Sequence, residues 1–433
     1  MSAPDYVSTR GRGGAVPFRR ALLDGLAPDG GLYVPTSVPR LDGTGWETAD
    51  SLAETGARVL GPWLGGAVGD LGALVADALP FPAPLVPLGG PWSGVSVLEL
   101  FHGPTLSFKD VGARTMARLV GATLDGEPVT VLVATSGDTG SAVADGFAGV
   151  PGVRVVLLYP RGGVSPVQER QLVAARDGVQ TLAVDGTFDD CQRLVKAAFA
   201  ERGPDGRRLS SANSINVGRL LPQTVYYAWA ARQHAEAGGG PAVFCVPSGN
   251  LGNLTAGLLA HRAGLPAPPG GGPAFVAAHN ANAGFPRFLG GAEAAPAASV
   301  ATLSNAMDVG SPSNLERLRA LFSDAGLRRR VAGETVTDAE TLAAMRAVWD
   351  GAGYAADPHT AVGLEAARRH RARRGVPVVV LATAHPAKFP EAAGKAGLPA
   401  PPEPPALAAL HDAPTRAETV PPTLDALRPF LAP

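Results

Sequence analysis

Of the 37 basic residues in this chain of 433, only Lys109, Lys196, Lys388 and Lys395 are lysine; the rest are arginine. A guanidinium stays protonated and cannot form an imine, so a chain that otherwise prefers arginine must keep lysine wherever its chemistry needs a free amine. Lys109 stands in His-Gly-Pro-Thr-Leu-Ser-Phe-Lys-Asp at 102–110, at the start of a helix-like stretch over 111–120. An amine there can reach a cavity, although a solvated lysine at a helix start is the commoner arrangement.

Two glycine-containing segments fall between an expected parallel strand and its helix. Ser-Gly-Asp-Thr-Gly at 136–140 would aim backbone N–H groups and a positive helix end at a carboxylate or phosphate, and an ordinary N-cap by Ser136, Asp138 or Thr139 explains the same residues. In Pro-Ser-Gly-Asn-Leu-Gly-Asn at 247–253, Gly249 and Gly252 permit close backbone approach to a phosphate. This loop is neither a dinucleotide fingerprint nor a nucleotide P-loop, which argues against redox chemistry on NAD and against ATP hydrolysis. Asn213, Ser214 and Arg219 form a third polar cluster; amide and hydroxyl donors beside a guanidinium suit a phosphate dianion, or else cap a helix with the arginine in solvent. Thr383 and His385 follow an apolar strand, where parallel sheets open onto ligand crevices, and a lone histidine there is more often structural.

The elements that would position these groups follow a βαβ rhythm. Strands are expected over 129–134, 153–158 and 181–184, each followed by a helix (142–148, 165–176, 188–200), which makes one α/β unit. A long helix over 217–235 leads to a second unit with strands at 242–246, 274–278 and 376–382 and helices at 315–322, 338–351 and 360–374. The organisation expected is an N-terminal subdomain (1–95), a smaller mobile α/β domain (96–210), a larger α/β domain (211–398) and a proline-rich tail (399–433) in which regular structure has ended at 400–405.

Composition narrows the function classes. A net charge of −1 with scattered arginines gives no field for nucleic acid or an anionic membrane, so partners should be small molecules. The first residues have no apolar signal core and no run spans a membrane, so a cytoplasmic protein is expected; as to assembly, a monomer and a homodimer are both open. Cys191 and Cys245 have no metal-ligand spacing and read as reduced core residues; no metal is expected.

Taken together, the 102–110, 136–140 and 247–253 segments, Asn-Ser-Ile-Asn with Arg219, Leu-Ser-Asn-Ala-Met-Asp at 303–308 and Thr-Ala-His-Pro-Ala-Lys-Phe at 383–389 resemble the threonine synthase family, from Phe18 to Phe389. The resemblance implies the tryptophan-synthase-β-like fold, two α/β domains with mainly parallel sheets plus an N-terminal subdomain, and pyridoxal phosphate carried on Lys109 as a Schiff base. It implies that Gly249, Asn250, Leu251, Gly252 and Asn253 hold the cofactor phosphate, that Thr383 faces the pyridine nitrogen, and that Asp138, often Asn in the family, meets the phenolic oxygen. Ser136 and Thr139 would bind the substrate carboxylate, and Asn213, Ser214 and Arg219 its phosphate. The implied reaction is γ-elimination and β-addition of water, turning O-phospho-L-homoserine into L-threonine, with Lys109 moving the protons. A related phospho-lyase acting on another phosphorylated amino acid, or a non-catalytic cofactor-binding homologue, are the alternatives.

Overall fold

The computed structural model describes residues 3–201, 208–293 and 295–431. Val129–Ala134, Val153–Pro160 and Val179–Val184 are almost wholly apolar and buried, as parallel strands covered on both faces must be. They lie side by side in a parallel five-stranded sheet, with Arg208–Ser210 on one edge and Glu418–Val420 on the other. The second sheet has six strands in the order Val331–Thr335, Phe275–His279, Val243–Pro247, Val378–Ala382, Val95–Glu99 and Leu85–Pro87. Only the pairing of the last two is antiparallel. Near the N-terminus, Tyr6–Ser8 and Tyr33–Pro35 form a small antiparallel pair.

Helices start where side chains satisfy their free N–H groups. Capping boxes at Ser165/Gln168, Thr187/Asp190 and Thr337/Glu340 open Pro166–Val173, Phe188–Ala200 and Asp338–Ala352. The stretch 217–235 is not the single helix expected. It divides into Val217–Leu220, a 3-10 turn Leu221–Gln223 and Thr224–Glu236, because Pro222 has no N–H to continue the ladder. The strand expected from 376 begins at Val378, after Pro377, for a related reason.

Regular structure also does not end at 400–405. Pro405–Ala408 is helical, Glu418–Val420 pairs with Val179–Val184, and Leu424–Leu431 places Leu427 and Leu431 in the apolar core beside that sheet. Val95–Glu99, at the expected start of the smaller domain, lies in the six-stranded sheet instead. Both cysteines are free and buried, and among the described residues no cluster suits a metal ion and no helix is long and apolar enough to cross a membrane.

Candidate active site

The C-terminal ends of parallel strands from both large sheets converge on one crevice, the usual ligand position in open α/β sheets. Val95–Glu99 feeds the loop that delivers Lys109, the first residue of the helix Lys109–Thr123. That loop is stitched to the segment leaving Val378–Ala382: the Leu100 N–H donates to the Ala382 carbonyl (3.0 Å), Phe108 N–H to Thr383 (2.9 Å) and His385 N–H to Leu106 (3.1 Å). The buried Asp110 carboxylate closes the turn by accepting from Thr105 N–H (2.9 Å) and Thr105 Oγ1 (2.6 Å). Lys109 is thereby fixed from both sides in the chain.

Lys109 Nζ lies 3.6 Å from Asp138 Oδ2 and 4.9 Å from the centre of the Phe108 ring. Asp138 is the first residue of the helix Asp138–Phe147, after Gly137 at φ 133°, where a side chain would run into Gln168. Its other oxygen, Oδ1, accepts from Lys388 Nζ (2.7 Å) and Gln168 Nε2 (3.0 Å). Burial lowers the Lys109 amine below the ordinary lysine range; Asp138 opposes this, and the Lys388 and Arg219 charges reinforce it. Burial alone would raise Asp138, but Lys388, then Lys109, hold it well below the usual carboxylate range.

Across the crevice, the loop after Val243–Pro247 turns on Leu251, which sits at φ 60° without being glycine. A Cβ on Gly249 would come 2.9 Å from Met307 Cα and 3.0 Å from the Ala306 carbonyl, and one on Gly252 3.1 Å from Ser214 Cβ. The loop excludes a side chain at Gly249 and crowds one at Gly252, and residues 249–253 line the cavity at the start of the helix Gly252–Arg262, where backbone N–H groups are free to meet an anion. Asn253 Oδ1 accepts from Tyr226 and Tyr227 hydroxyls, each at 2.7 Å, while its buried Nδ2 has no partner among the described residues. A donor held in this way next to a cavity is suited to an anion.

Lys109, Asp138, Thr139 and Thr383 line this cavity together with all of 249–253, and Ser214 and Arg219 close the same space. Ser136 and Asn213 are not part of that lining; Asn213 Nδ2 is engaged with the Ala134 carbonyl at 3.0 Å. Ser214 Oγ accepts from Asn250 Nδ2 (2.7 Å), tying the 211–219 segment to the glycine loop. Arg219 is buried with its Nε unpartnered among the described residues, and burial pulls its guanidinium down to about 10 against the opposing charge of Asp110. His385 lies outside the lining, accepts from the Ala387 N–H (3.1 Å) and sets its ring edge-on to Phe101.

Three residues that the sequence did not single out for this site belong to it. His359 lines the cavity; the Ala306 N–H donates to its Nε2 (3.2 Å), which leaves the ring proton on Nδ1 to bond Asp357 at 2.6 Å. Arg317, fully buried, donates to the carbonyls of Tyr33, Ser214 and Ile215 behind the glycine loop. Lys388 bonds Asp138, and its rarity as a lysine was the one signal that could have found it. The other two sit on helices, Asn314–Leu321 and Pro358–Arg374, whose sequence gives no local cue.

Residues 81–384 match the family described as pyridoxal-phosphate dependent enzyme, 5–78 match threonine synthase N terminus and 360–431 match threonine synthase, C-terminal. The chain is 42% identical to a threonine synthase of Serratia marcescens, over 96% of each chain. It is likewise 42% identical to that of Escherichia coli, over 87% of each. The crystal structure of a threonine synthase from Brucella melitensis, with PLP bound, superposes with a TM-score of 0.90 at 35% identity, covering 99% of both chains.

Proposed function

The chain belongs to the threonine synthase family of pyridoxal-phosphate dependent enzymes, and on that premise we propose how its residues hold cofactor and substrate. Its reaction is the conversion of O-phospho-L-homoserine and water to L-threonine and phosphate, and its cofactor is pyridoxal phosphate. The cavity fits that group: a buried amine at Lys109, a glycine loop at a helix start, and an unpartnered Asn253 amide.

Lys109 would carry the cofactor, and the backbone N–H groups of 249–253 would hold its phosphate. Thr383 would meet the pyridine nitrogen, where a hydroxyl, unlike a carboxylate, does not keep that nitrogen protonated, and Asp138 the phenolic oxygen. When bound, pyridoxal phosphate supplies an electron sink for the carbanion left as a proton departs from Cα. Lys109 Nζ, once freed by the substrate amino group, would take that proton and return protons to the substrate carbon chain as phosphate leaves and water adds at Cβ. Only a neutral amine does this, and the buried setting favours that form.

Thr139 would bind the substrate carboxylate, and Ser214 and Arg219 its phosphate; Ser136 and Asn213, which lie outside the cavity lining, would join them only as the smaller domain closes. Arg219 supports this: a buried guanidinium with an unpartnered Nε is matched by an anion. The smaller α/β domain would close over the substrate, keeping bulk water from the site until phosphate has left. We place the reaction in the cytoplasm, carried out by a monomer or homodimer.

The observation that carries the reading is Lys109, whose side chain is 14% exposed, lining one cavity with the whole 249–253 loop. The purified protein should show a visible absorption band that borohydride abolishes, and should release threonine and phosphate from O-phospho-L-homoserine. Consumption of phosphothreonine alone would make it a phospho-lyase instead.

A further inference from the structure

Lys388 lies in the 3-10 turn Pro386–Lys388 and is completely buried, with Nζ 2.7 Å from Asp138 Oδ1 and 3.0 Å from the Thr105 carbonyl. The second Asp138 oxygen faces Lys109 Nζ at 3.6 Å. Two of the four lysines in the chain therefore converge on one buried carboxylate. The shorter contact is a charge-assisted hydrogen bond and the longer one is beyond hydrogen-bonding distance, so Asp138 is paired with Lys388.

This pairing matters because a buried carboxylate needs a cation. Without Lys388, the nearest amine would be Lys109, and an ammonium there can neither bond an aldehyde carbon nor accept a proton from Cα. We propose that Lys388 is a positioning residue that serves as the counter-ion of Asp138, leaving Lys109 to stand as a free amine. The proposal rests on the assignment of Lys109 as the lysine that carries the cofactor.

Lys388 is also faced by His385 and by the Asp110 carboxylate, which is held by Thr105 N–H and Oγ1, but its hydrogen bond goes to Asp138. Lys109 is faced by Asp138 from the helix Asp138–Phe147, by Lys388 from its turn and by Arg219 from Val217–Leu220; of these only Asp138 favours an ammonium. Gln168 donates to the same Asp138 oxygen as Lys388. Asp138 thus has partners enough without Lys109.

The test uses the cofactor-loaded enzyme, in which the nitrogen of Lys109 reports its own electrostatic field. The pH midpoint of the visible band and the acid limb of the kcat profile are measured in wild type, Lys388→Met, Asp138→Asn and the double variant. Lys388→Met should raise both midpoints by about one pH unit or more, a tenfold change in the proton affinity of that nitrogen. Asp138→Asn should lower them, and the double variant should fall back toward wild type, because removing both partners removes opposing charges together.

A loaded Lys388→Met enzyme with wild-type midpoints would overturn the proposal alone. Should Lys388→Met fail to fold, the double variant, which orphans neither charge, is compared with Asp138→Asn: a higher midpoint in the double variant supports the proposal and equal midpoints overturn it. A wild type with no band would instead remove the cofactor assignment itself, and the proposal with it.

Discussion

Arg317 is buried in full, yet its hydrogen-bond partners are all uncharged: three carbonyls and Asn314 Oδ1. Its role is to hold the 214–215 segment, whose Ser214 borders the cavity. Arg317→Met should cost about 3 kcal/mol of stability, since it orphans several buried acceptors, and should weaken pyridoxal phosphate binding roughly tenfold; denaturant melts and cofactor titration would show both. His279 gives a pH dependence of opposite origin. Burial lowers it from 6.5 to about 3, so the unfolded chain takes up the proton first. Its contribution is present in full above pH 6.5 and is lost as pH falls toward 3, by about 1.4 kcal/mol per unit. Urea melts at pH 7.5 and pH 5 should therefore differ less for His279→Gln than for wild type.

At this scale the sequence was informative where chemistry restricts residue type. Lys109 was legible because arginine cannot replace an amine, and the same scarcity pointed at Lys388 without telling what it bonds. Arg317 and His359 were not legible: an arginine in Asn314–Leu321 and a histidine in Pro358–Arg374 look like ordinary helix residues until tertiary packing buries them.

Among the elements, the glycine loop before Gly252–Arg262 is the most demanding, because its path leaves no room for a Cβ at 249. Gly249→Ala should leave far-ultraviolet circular dichroism unchanged while lowering affinity for pyridoxal phosphate by tenfold or more, as the loop shifts away from Met307. An unchanged cofactor titration would contradict the close packing described. The alternation of strands and helices was legible from apolar runs and their punctuation, because local composition dictates both. The break at Pro222 could have been read from the residue itself. The placement of Val95–Glu99 could not, since it pairs with Val378–Ala382 across about two thirds of the chain and nothing local encodes a partner so distant.

For the molecule as a whole, the C-terminal segment is structural. Glu418–Val420 covers the edge of Val179–Val184, and Val420, Leu427 and Leu431 pack on Leu182 and Leu194. Deleting 414–433 should expose that edge and that apolar surface, lowering the melting temperature and promoting association visible by light scattering. The proline-rich run at 400–405 hid this, because a breaker followed by a three-residue strand gives almost no periodic signal. Both sheets nonetheless deliver their chemistry to one crevice, and the function stands or falls with Lys109. The most direct measurement is absorption spectroscopy of wild type and Lys109→Ala, paired with threonine formation from O-phospho-L-homoserine. The account predicts a borohydride-sensitive band and turnover in wild type and neither in Lys109→Ala; a band and turnover that survive the substitution would contradict it.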